Sequence, residues 1–123
     1  MKALYALVIL LNFSWAMAGQ MNCDVYKENQ RTWNSQKNTS IVQLTERGTS
    51  ELDQESFGRL SLSPSLHIEV SRVSNPAQVA NLIKVVRGDE VLESISADEQ
   101  PVSLRIAQIK KQIRYTVICQ FKN

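Results

Sequence analysis

In the stretch LHIEVS the chain's one histidine, His67, is followed at two-residue intervals by Glu69 and Ser71. These are the residue types of a hydrolytic triad, in which histidine takes the serine proton and a carboxylate orients the imidazole. On an extended backbone, same-face neighbours lie about 7 Å apart. Ser71 therefore stands beyond Glu69 and out of the histidine's reach, and a serine from another strand, such as Ser61, would have to replace it. The spacing fits better the polar outer face of a strand whose inner face is Leu66, Ile68 and Val70. No catalytic residue is assigned, and a small hydrolase using His67 is the least favoured function.

Metal chemistry meets a similar shortage. Glu51, Asp53 and Glu55 alternate in SELDQESFG and could gather oxygens for calcium, but the glycine and the later bidentate glutamate of a calcium loop are missing. A single histidine cannot complete a zinc site without carboxylates from elsewhere. Neither a metal nor a cofactor is expected, and the chain is read as a non-enzyme. Arg87-Gly88-Asp89 in IKVVRGDEVLES has the composition of an adhesion signal. It is also a two-residue turn between β-branched runs, with glycine where a positive φ is needed. The turn accounts for the glycine by geometry alone.

Binding residues are easier to find. KENQRTWNSQKNTS, residues 27–40, is polar almost throughout except for Trp33 and is read as a long loop. An aromatic among Asn, Gln and Ser can stack on a sugar or anchor a peptide. Trp33 and the adjoining Asn34 are therefore candidate binding residues; the opposing possibility is that Trp33 folds back to cap the core. Asn38-Thr39-Ser40 is an N-glycosylation acceptor if the source is a secretory eukaryote. Basic residues gather late, at Arg105, Lys110, Lys111, Arg114 and Lys122, and Lys110, Lys111 and Arg114 complete the candidate set. This patch lacks the interleaved aromatics of a nucleic-acid surface, so no nucleic-acid partner is expected. An acidic protein or an anionic envelope surface suits it better.

The elements that must hold these residues read as short strands. IRYTVICQFK alternates Ile113, Tyr115, Val117, Cys119 and Phe121 with Arg114, Thr116, Gln120 and Lys122, the period of a strand with one face in the core. NCDVYKE, SIVQLTE, FGRLSLS, LHIEV, EVLESIS and VSLRIAQI read likewise, divided by Gly48, Ser63-Pro64, Asn75-Pro76, Gly88 and Pro101. SNPAQVANLIKVVRG is ambiguous. Asn75 as a cap and Pro76 at the first position would start a helix, whereas Val79, Ile83, Val85 and Val86 favour a strand, the reading adopted. The expected fold is all-β, a small antiparallel sandwich or barrel of about seven to eight short strands.

The compartment follows from the beginning of the chain. MKALYALVILLNFSWAMAGQ carries one early positive charge, an apolar run and Ala16-Met17-Ala18, the pattern of a signal peptide cleaved after Ala18. The apolar run is short for a bilayer span, and no transmembrane segment is expected after cleavage. Residues 19–123 would form a single domain, secreted or periplasmic. There Cys23 and Cys119 are expected to form a disulfide. With 14 Lys and Arg against 12 Asp and Glu, charge balance demands no polyanionic partner. The function expected is an exported binding or inhibitor-like module that uses its loops on a protein or carbohydrate partner outside the cytoplasm. The alternative is an accessory subunit of an envelope assembly that pairs through an edge strand.

Overall fold

The computed structural model describes residues 19–47, 54–87 and 90–122. The expected leader, Glu51, Asp53, Gly88 and Asp89 lie outside the described residues. The described residues form nine strands: β1 Gln20–Asn29, β2 Asn34–Gln43, β3 Thr45–Glu46, β4 Gln54–Ser63, β5 Leu66–Ser74, β6 Val79–Arg87, β7 Glu90–Ala97, β8 Val102–Gln108 and β9 Ile113–Lys122. One sheet has the order β2-β1-β9-β8 and the other β3-β4-β5-β6-β7, and every pairing is antiparallel. The fold is all-β and sandwich-like, as the alternating patterns require. SIVQLTE is divided between the two sheets, with Leu44 buried at the crossing from β2 to β3.

Each pairing joins strands that follow one another in the chain, except β1 with β9. That exceptional seam carries the Cys23–Cys119 disulfide, with the two residues directly opposite in register and their Cα atoms 4.1 Å apart. The short separation follows from the hydrogen-bond phase. Gln30 N donates to Gln112 O, so even-numbered residues of β1 bond to β9, and Cys23 and Cys119 form a non-hydrogen-bonded pair, where side chains approach most closely. Both cysteines are fully buried, in one core cluster with Met21, Val117, Val70 and Ile83.

The ambiguous segment is a strand. Asn75 nevertheless does what a helix cap does: its Oδ1 accepts from the N–H groups of Ala77 and Gln78, both at 2.8 Å. That bonding closes the turn from β5 into β6 through Pro76, and the β-branched run then pairs with β5 and β7. The 27–40 stretch is corrected from a loop to most of a hairpin. Its residues occupy the end of β1 and the start of β2, paired from Lys27 with Gln36 to Asn29 with Asn34. The polarity misled because Asn34–Thr39 of β2 is exposed on both faces, lying past the part of the first sheet that the second covers.

Candidate functional site

Two hairpin tips meet at one end of the first sheet. The β1–β2 turn, residues 30–33, is built on Asn29, whose Oδ1 accepts from Arg31 N at 3.0 Å and Thr32 N at 3.4 Å. It closes at Trp33 with φ +57°. The β8–β9 turn, residues 109–112, has the same length and closes at Gln112 with φ +53°, its N–H donating to Ile109 O at 3.2 Å. Because β1 and β9 are neighbours, the tips touch, with Gln30 N donating to Gln112 O at 2.8 Å.

Trp33 is 89% exposed, which rules against its capping the core. A left-handed backbone conformation is unfavourable for a bulky side chain, yet Trp33 holds one while its indole stands in solvent. Beside it lies a cleft of about 180 Å³ whose walls include Glu28, Gln30, Trp33, Asn34 and Arg114. Glu28 and Arg114 face each other across the β1–β9 seam and form an ion pair. The buried Nε of Arg114 has no acceptor among the described residues. Lys110 and Lys111 border a second cleft, about 320 Å³, with Arg87, Gln108 and Ile109. The structure thus gathers Trp33, Asn34 and Arg114 around one cleft and sets Lys110 and Lys111 on the adjoining tip. Arg31 and Ile109 are the tip residues that sequence reasoning missed. Ile109 reads as the end of a strand in VSLRIAQI, yet it is 87% exposed in the turn.

The free edge of β2 leads away from Trp33. Leu44 N donates to Gly19 O, which fixes the phase of the β1–β2 ladder. Ser35, Lys37 and Thr39 consequently turn their N–H and C=O groups away from β1, toward a side on which no described strand pairs. Farther along, β4 approaches this strand: a Cβ built on Gly58 would lie 2.6 Å from Gln43 O and against the Val42 side chain. The β8 edge is treated differently, for Arg87 Nη1 donates to Ala107 O at 3.2 Å.

His67 stands elsewhere, exposed on the second sheet at a depression of about 400 Å³ shared with Arg59, Glu69 and Lys84. Ser61 pairs with it in register, but Ser61 Oγ donates to Ser63 O at 2.9 Å on its own side of the turn. Glu69 accepts from Arg47 at 2.6 Å, as does Glu55. The hydrogen bond that Arg47 donates to Glu69, then the one it donates to Glu55, holds its guanidinium above the ordinary pKa, so the carboxylate that would orient His67 serves an arginine stacked 4.1 Å over Phe57. Among the described residues, no three His, Cys, Asp or Glu side chains gather as metal ligands.

The chain matches no model of a known protein family, no curated protein and no solved structure.

Proposed function

We propose that this chain is an exported, non-enzymatic binding module that engages its partner with the end of the sandwich where the two hairpin tips meet. The observation that carries the reading is Trp33, almost fully exposed in an unfavourable backbone conformation beside a cleft. A large aromatic held in water contributes little to folding and much to a contact that removes it from water. Export is supported by the leader pattern at residues 1–18 and by a disulfide buried in the core. The test is Trp33→Ala in the chain from Gly19 onward, which contains every described strand, the core and the disulfide. The variant is expected to melt nearly as the parent does while losing its partner from envelope or extracellular extract. Unfolding, or undiminished retention of the partner, would overturn the reading.

A second reading is favoured by the edge of β2, on which no described strand pairs. Three outward-facing sets of backbone groups, at Ser35, Lys37 and Thr39, could accept an extended segment of an assembly partner as an added strand. Lys37 works against indiscriminate pairing there. Lys37→Pro removes an N–H that β1 does not use and leaves Trp33 in place. Loss of the partner in this variant, with binding kept in Trp33→Ala, would select strand addition over the tip.

A further inference from the structure

We propose that the partner of the tip end is an anionic lipid bilayer, with Trp33 and Ile109 entering the interface and Arg31, Lys110 and Lys111 lying against the headgroups. The proposal rests on the preceding reading that this end is the binding end, and it names the partner.

The two turns have complementary compositions for such a surface. Each presents one large apolar side chain, Trp33 at 89% and Ile109 at 87% exposure. Residues 30–33 and 109–112 contain Arg31, Lys110 and Lys111 and no acidic residue. The nearest carboxylate on the adjoining strands, Glu28, is paired with Arg114 and adds no uncompensated negative charge. The Gln30 to Gln112 bond fixes one tip beside the other, so the apolar pair and the three cations act as one patch. Tryptophan favours the headgroup level, where its ring is apolar on its faces and polar at its N–H. Clustered Lys and Arg add attraction to anionic lipid, about 1 kcal/mol for each near the surface. One apolar side chain would hold the protein only weakly, and the combination of apolar insertion with basic charge gives useful affinity.

A bilayer fits this arrangement better than a protein pocket does. Protein hot spots sit in closed, desolvated pockets, whereas Trp33 and Ile109 are exposed on separate turns that also carry the cations Arg31, Lys110 and Lys111. Such a pattern matches a soft, flat, negatively charged surface. The sandwich would stand on its tips and leave the β2 edge facing the water.

The chain from Gly19 onward, in which Trp33 is the sole tryptophan, is mixed with vesicles of phosphatidylcholine alone or of phosphatidylcholine with phosphatidylglycerol. Co-sedimentation with the anionic vesicles only, a blue shift of Trp33 emission, and release by added salt are expected. Lys110→Gln and Lys111→Gln should each weaken binding about fivefold, the equivalent of about 1 kcal/mol. Ile109→Ser should weaken it while its melting stays that of the parent. Failure to sediment with anionic vesicles, equal binding to neutral ones, or an unchanged Trp33 spectrum would overturn the lipid assignment. If Trp33→Ala then still loses a protein partner from extract, the tip remains the binding end and only the lipid assignment falls. If no Trp33-dependent partner is found either, both fall together.

Discussion

The guanidinium of Arg72, on β5, lies over the ring of Phe121, on β9, 3.8 Å from its centroid. The contact crosses from one sheet to the other. The same arginine donates to Asn81 Oδ1 at 3.0 Å and forms an ion pair with Asp98. Asn81 is itself 1% exposed, and its Nδ2 donates to the carbonyl of Asp98 at 2.8 Å, in the connection from β7 to β8. Arg72 therefore joins the two sheets at the place where the chain passes between them.

Arg72→Ala should lower stability by about 2 kcal/mol, because it leaves the buried Asn81 oxygen short of a donor and removes the contact with Phe121. Denaturant unfolding of Arg72→Ala, Phe121→Leu and the double variant measures the coupling, expected at about 0.5–1 kcal/mol. Strict additivity would mean that the stacking contributes nothing.

Removal of the disulfide should act first on one seam. The bridge closes a separation of 96 residues, for which chain entropy gives up to about 4.7 kcal/mol. Cys23→Ala/Cys119→Ala should lose a large part of that. In hydrogen exchange its β1 amides at Asn22, Asp24 and Tyr26 should lose protection before those between β5 and β6. Mass spectrometry of the unreduced protein should show two hydrogens fewer than the reduced form; two free thiols would refute the bridge.

Gly58 is a position set by contact. Its absent Cβ leaves room for the Gln43 carbonyl, so Gly58→Ala should push β4 from β2 and cost about 1–3 kcal/mol in a denaturant melt. A neutral result would show that the two sheets can part there freely.

Trp33→Asn should raise stability by about 1 kcal/mol, since asparagine accepts the left-handed conformation far more readily. Chemical denaturation gives the sign. A loss would mean that the indole packs on the fold, contrary to its exposure.

How much of this was legible depended on burial. β9 could be read residue by residue because one face meets the core and the other does not, and a bridge from its inward Cys119 brought Cys23 close, either side by side in one sheet or facing across two. The segment after Asn75 was ambiguous because an asparagine oxygen satisfies the same N–H groups in a turn as at a helix start. Asn34–Thr39 carries no period at all, since neither face is covered, and a strand held only by its backbone ladder looks in sequence like a loop. The tips were concealed for another reason: Trp33 and Gln112 occupy positions where glycine or asparagine would have announced a turn. The candidate residues stand out in sequence by type alone, and their meeting at one end depends on β1 lying beside β9, which the cysteines suggest only as one of two arrangements.

The position of the bridge also governs how the molecule bears load. Tension entering at Gln20 and leaving at Lys122, which are paired neighbours, reaches Cys23 and Cys119 within a few residues and passes through the sulfur atoms. The whole interval between them is bypassed, so a pull on the two ends peels only the short flaps outside the bridge and leaves both sheets slack. Reduction would convert the same pull into an unzipping force that runs down the β1–β9 seam toward the tips.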